Sequence, residues 1–287
     1  AVGFVIGSKA YVGTGYDGDN FHNDFWEYDP VRNSWTQKAH FPGSARSQAV
    51  GFSTDTKGFI GTGWDGRYRL KDFYAYDAAS NTWAQTADLE GSARRSAVAF
   101  SINNKGYVGT GDSVANFKDF WEYDPASDVW NKVSSIGGSK RTSAATFVIN
   151  GKGYVIGGID NADYLNDMWR YDPATDEWTK MRAIANVSNE TYDDNYSTIK
   201  GTGKVGFTIN GKGYLATGGM TTGAEVWEYD PVTDLWSEKS NFEGSTRSDA
   251  VGFAIGNRGY VTMGKSSAYY FDDIWAFDPD AEMNEYD

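Results

Sequence analysis

The chain has no cysteine, and only two histidines and six prolines in 287 residues. Without a thiol there is no disulfide and no thiolate metal site, so neither a bridged framework nor a cysteine-based zinc or redox centre underlies its fold or activity. His22 and His40 leave little for a zinc site or a Ser-His-Asp triad, and no nucleophile motif stands beside His40. Positive charge is also scarce. Lys and Arg number 26 against 39 Asp and Glu, a formal charge of -13, which argues against a nucleic-acid groove. No apolar run approaches the ~18 residues that a membrane helix needs, and no capped stretch of period 3.6 predicts a helix. The chain begins without Met, on the strand-like "AVGFVI" and with no signal peptide, which reads as a processed or trimmed product. With 16% aromatics and an acidic balance it suits a secreted, periplasmic or surface-attached protein. At this length roughly three quarters of the unfolded surface can be buried, so the core needs no staple.

What is present is repetition. "WEYDP" at 26 returns as "YAYDA" at 74, "WEYDP" at 121, "WRYDP" at 169, "WEYDP" at 227 and "WAFDP" at 275, in steps of 48, 47, 48, 58 and 48 residues. Nine residues past each start stands Trp35, Trp83, Trp130, Trp178 or Trp236, while the sixth unit carries Asn284. Upstream lies a Gly-Thr-Gly or Gly-Gly pair, reduced to Gly264 in the last unit. Within a unit, alternating segments such as "SQAVGF" and "KGFIGTG" flank a turn and predict a hairpin, and two short aromatic segments meet at a "DP" turn. Four short strands per unit, and units that cannot bury both faces alone, predict an all-β six-bladed propeller of four antiparallel strands per blade. The blades fall near 1–42, 43–90, 91–137, 138–183, 198–243 and 244–287, with an inserted inter-blade loop at 184–197. The last residues, "EMNEYD", are expected to give the sixth blade its outer strand, with Tyr286 in the missing Trp's place.

The double glycine, the aromatic-Tyr-Asp-Pro and the spaced Trp resemble the kelch repeat over the whole chain, with Ala78 in place of the motif Pro as one departure. The resemblance implies a propeller whose first strands lie nearest the axis, and it implies recognition of partners at the channel mouth, where arginines line the opening in some protein-binding members. Copper-radical oxidases resembling galactose oxidase share the fold, but they need a Cys-Tyr crosslink and two His ligands, which this sequence cannot supply.

Before each first strand runs "GSARSQAVGF", "GSARRSAVAF", "GSKRTSAATF" or "GSTRSDAVGF". Arg46, Arg94, Arg141 and Arg247 are thus repeat-equivalent, with Arg95 beside one and Lys200 and Lys204 in the fifth unit. They predict a near-ring of cations around the mouth, suited to carboxylates, phosphates or sulfates. Residues that break the repeat add Tyr16, His22, Trp64, Arg67, Tyr68 and Arg69 in mouth-side loops, and the insertion adds Tyr192, Asp193, Asp194 and Tyr196 as a lid or cleft wall. Asp17, Asp19 and Asp24 in "DGDNFHND" are a candidate calcium set, although Asp24 recurs as Asp72, Asp119, Asp167, Asp273 and Glu225 and is expected to bond backbone where the third strand starts. No other cofactor is expected. The reading is a monomeric binding module for an acidic peptide, protein or glycan. The alternatives are a carbohydrate-active enzyme resembling the acidic-sugar mutarotases, with Glu190, Glu225 or Asp249 as acid/base group, and a structural domain of a larger surface protein.

Overall fold

The computed structural model describes residues 1–183, 199–219, 224–267 and 269–281. Alternation dictates the strands. In Val98–Ile102, residues 98, 100 and 102 are buried and those between them half-buried, as a strand with both faces against protein requires. The first blade is the antiparallel sheet Val2–Ile6, Lys9–Tyr16, Phe21–Asp29 and Ser34–Gln37. Blades two to five repeat that order, and the sixth shows Val251–Ile255, Arg258–Thr262 and Ile274–Phe277 among the described residues. First strands neighbour one another in sequence order, and Val2–Ile6 neighbours Val251–Ile255, so the ring of six blades closes. The placement expected for Tyr286 lies outside the described residues.

The turns take the conformations their residues favour. Asn104, Asn150 and Asn210 adopt positive φ between first and second strands, as short hairpins with Asn require. In the "DP" turns a carboxylate holds the backbone: Asp29 Oδ1 accepts from the amides of Val31 and Arg32.

Blades pack as knobs into holes. The first-strand Phe of one blade fills the space that a second-strand glycine leaves in the next: Phe4 on Gly58, Phe52 on Gly106, Phe100 on Gly153, Phe147 on Gly213 and Phe207 on Gly259. The repeated Trp is a cross-blade bolt. Trp130 Nε1 donates to the Ala87 carbonyl at 3.0 Å while Asp128 Oδ1 accepts the Ala87 amide at 2.8 Å, and the Trp83 and Trp178 indoles reach the Ala39 and Ser134 carbonyls in the same way. These contacts leave the mouth-side loops on a rigid frame, with an axial channel of about 460 Å³ below them.

Candidate functional site

The four repeat-equivalent arginines do not form a ring of free cations at the mouth. Each side chain is fully buried and works as a strut inside its own blade. Arg46 meets Asp72 with two parallel bonds of 2.6 and 2.8 Å and donates to the carbonyls of Thr62 and Ser44. Arg94 does the same with Asp119, Thr110 and Ser92, and Arg141 with Asp167, Gly157 and Ser139. Arg247 pairs with Asp273 and donates to Met263. Aromatic faces cover the guanidiniums, Phe117 at 4.5 Å over Arg94 and Phe271 at 4.1 Å over Arg247. The strut's backbone reaches the preceding blade: the Arg46 carbonyl accepts from Gly15, and its amide donates to His22. Their physical reason is local. The segment dips under the mouth loops, and the aspartate that starts the third strand stands opposite it.

Those aspartates take guanidinium and, for Asp119, Asp167 and Asp273, the indoles of Trp121, Trp169 and Trp275 together with their own backbone amides, the kind of partner expected of them. Burial works against ionisation of Asp119 and Asp167, but the hydrogen bonds and charge of Arg94 and Arg141 outweigh it and hold both carboxyls below the usual range. Asp273 is lowered chiefly by its bond to Arg247.

Above the struts opens a cavity of about 1000 Å³, lined by mouth-side loops and by residues just before the first strands. Successive mouth hairpins are tied by side chains. Tyr270 stands edge-on to Tyr16 at 6.2 Å, Phe21 edge-on to Trp64 at 5.5 Å, Arg69 donates to Asp112 at 2.9 Å, and Asn116 to Asp160 at 2.9 Å. Gly18 and Gly66, both at positive φ, make room for this: a Cβ on either would stand 2.8 Å from the ring of Tyr270 or Phe21. Arg95 closes the arc, its guanidinium 5.2 Å over Trp64 and 3.3 Å from Asp112, which it shares with Arg69. One carboxylate thus meets two partly exposed guanidiniums, leaving an excess positive charge at the edge of an aromatic wall.

Of the residues predicted for the mouth, Tyr16, His22, Trp64, Arg95 and Lys204 line this cavity. His22 is hydrogen-bonded to Asp17 at 2.8 Å. Arg67 and Tyr68 stack on each other at 4.9 Å on the rim and do not line it. Tyr192, Tyr196, Asp193, Asp194 and Glu190 lie outside the described residues. Sequence reasoning missed Phe21, Tyr270 and Asp112, although Phe21 and Tyr270 hold the place of Arg69 in their units, which lining up the repeats reveals. It also missed Gln48, Ser143 and Gly203, which with Ser96 and Asp249 form an inner ring at positive φ, linked where Ser96 donates to Gln48, Ser143 to Ser96 and Asp249 to Gly203.

Asp17 and Asp24 are put to separate uses. Asp17 accepts from the amides of Asp19 and Asn20, bonds that with His22 lower its carboxyl to about 2, and Asp24 accepts the Trp26 indole. Among the described residues no three or more His, Cys, Asp or Glu gather in a metal-holding arrangement. Of the carboxylates considered for acid/base work, Asp249 is more than half exposed and paired with Lys265 at 3.2 Å, and Glu225 takes the strut aspartate's place in the fifth blade.

Residues 91–250 match the family described as the KLHDC2/KLHL20/DRC7 Kelch-repeats domain, and residues 4–42 match the Kelch motif. No curated protein matches the chain. Among solved structures, one titled "Structure of YjhT" superposes with a TM-score of 0.77 over 95% of this chain and 92% of that one, at 16% identity, a likeness of fold alone.

Proposed function

We propose, from the premise that this chain belongs to the kelch-repeat family of propellers, that it is a binding module that takes a protein segment into the mouth. Kelch propellers mediate protein binding, and the observation that carries the reading here is the half-arc Tyr270–Tyr16–Phe21–Trp64–Arg95 around an open cavity. Tyr16, Tyr68, Tyr269 and Tyr270 are exposed. Aromatic and arginine side chains at a concave surface are what binding hot spots are made of. The partner is an acidic segment with an aromatic or aliphatic anchor, its carboxylate meeting Arg95 and Arg69 and its anchor lying against Trp64. The arc also suits the face of a sugar ring, so glycans belong in the same experiment.

The test is thermal unfolding with acidic peptides, neutral sugars and acidic sugars, on the parent and on a Trp64→Ala/Arg95→Ala variant. Ligand at a hundredfold its Kd stabilises by about 2.7 kcal/mol. The expected result is a shift with acidic peptide in the parent and none in the variant, each read against that protein's own ligand-free midpoint. A shift with sugars alone moves the reading to a glycan, and an equal shift in both proteins removes the site from the mouth.

A further inference from the structure

The residue before each first strand is Ala1, Ala49, Ala97, Ala144 and Ala250 in five blades and Lys204 in the fifth. These six positions form the neck where the mouth cavity meets the axial channel, and all six line both spaces. Lys204 has the only ionisable side chain among the described residues lining the channel. Its amine donates to the Thr217 carbonyl at 3.1 Å, the bond that the strut arginines make to Thr62, Thr110, Gly157 and Met263 in their blades. A guanidinium there also holds an aspartate with two bonds. The lysine does not: no ion pair joins it to a described carboxylate, and Glu225, in the aspartate's place, acts on it only at longer range. Asp249, paired with Lys265, lies beside the preceding Gly203.

We infer that Lys204 is a nucleophilic amine that captures aldehydes at the neck of the mouth cavity. Five alanines leave the space a small carbonyl compound needs, and the amine is held where it meets whatever enters. The neutral Nζ lone pair forms a bond to the carbonyl carbon, a proton passes from nitrogen to the former carbonyl oxygen, and loss of water gives an imine that hydrolysis reverses. No oxidant or reductant takes part. Burial, partly offset by Glu225, lowers the amine to about 8, so about a tenth of it is neutral at pH 7, against roughly 4 in 10,000 for an ordinary lysine at about 10.4. The inference does not depend on the peptide-binding reading.

The test is reductive alkylation of the folded protein with propionaldehyde and cyanoborohydride, whose hydride converts any imine to a secondary amine, followed by peptide mass spectrometry. Lower intrinsic nucleophilicity and partial cover trim the advantage, and the expected result at pH 7 is labelling of Lys204 about 10-fold faster than the exposed Lys71 and Lys140. Lys204→Ala, which restores the residue of the other five blades and so keeps the fold, and Lys204→Arg both remove the fast-labelled site. Trp64→Ala leaves it unchanged, which separates this outcome from the binding experiment. Labelling that simply follows exposure, with Lys204 no faster than Lys71, overturns the inference.

Discussion

A methyl group added at Gly106 would stand 2.2 Å from the ring of Phe52, and the same is true within a few tenths of an ångström at Gly58, Gly153, Gly213 and Gly259. The ring is buried on every side, so it has nowhere to move, and Gly106→Ala is expected to cost about 1–3 kcal/mol by overpacking, read as a lower thermal midpoint. The first blade shows that the position is not bound to glycine by backbone conformation, because Ala10 stands there against Phe253. A Gly106→Ala variant that melts with the parent would mean that Phe52 is looser than its contacts indicate. The periodic "KG" is legible as a repeat mark in the sequence. The ring that fills its space comes from the neighbouring blade, 54 residues upstream, and local pattern carries no sign of it. Lys204 illustrates the converse. Aligning "AVGF" with "KVGF" exposes one lysine among five alanines, a departure that the repeat alone makes legible.

At the scale of the element, the segment before each first strand reads the same whether its arginine faces solvent or a carboxylate. Repetition says that Arg46, Arg94, Arg141 and Arg247 share one environment; it does not say which. The complementary aspartates, 25 or 26 residues later, recur with the same period, and pairing those two periodic charges would have identified struts rather than a mouth. Removing one partner of a buried bidentate pair strands the other. Arg94→Ala is therefore expected to destabilise by about 3–5 kcal/mol, and Arg95→Ala, whose side chain is partly exposed and whose Asp112 keeps Arg69, by under about 1 kcal/mol; denaturant melts of the two variants distinguish strut from rim. The sign with pH follows. Asp119, Asp167 and Asp273 have folded values below the unfolded ~3.9, so their contribution is complete above that value and is lost as pH falls through the folded values. Stability should hold from neutrality to about pH 4.5 and drop below it. In Asp119→Asn the drop should be shallower, and an acid limb as steep as the parent's would refute the assignment.

Across the whole molecule every large apolar cluster straddles a blade boundary. Phe147, Tyr154 and Met168 of the fourth blade pack with Leu215, Trp227 and Trp236 of the fifth, and Phe52 and Phe59 of the second with Tyr123 and Trp130 of the third. Val251 and Phe253 of the sixth pack with Ala10, Val12 and Tyr28 of the first, which closes the circle. An open solenoid unfolds from its ends because a terminal repeat has one neighbour. In this ring each blade has two, and freeing any one of them exposes two clusters; for blades two and three it also breaks a Trp-to-carbonyl bolt on each side. The loss from one blade leaving is therefore close to that of opening the ring, and the intermediate gains no compensating entropy on the scale of those contacts. Calorimetry is expected to show one transition whose calorimetric and van't Hoff enthalpies agree. Trp130→Phe, which removes the bolt to Ala87 and leaves part of the buried indole's space unfilled, should shift that single transition down by about 1–3 kcal/mol without splitting it. A separate low-temperature transition in the variant would show that blades two and three part from the ring on their own.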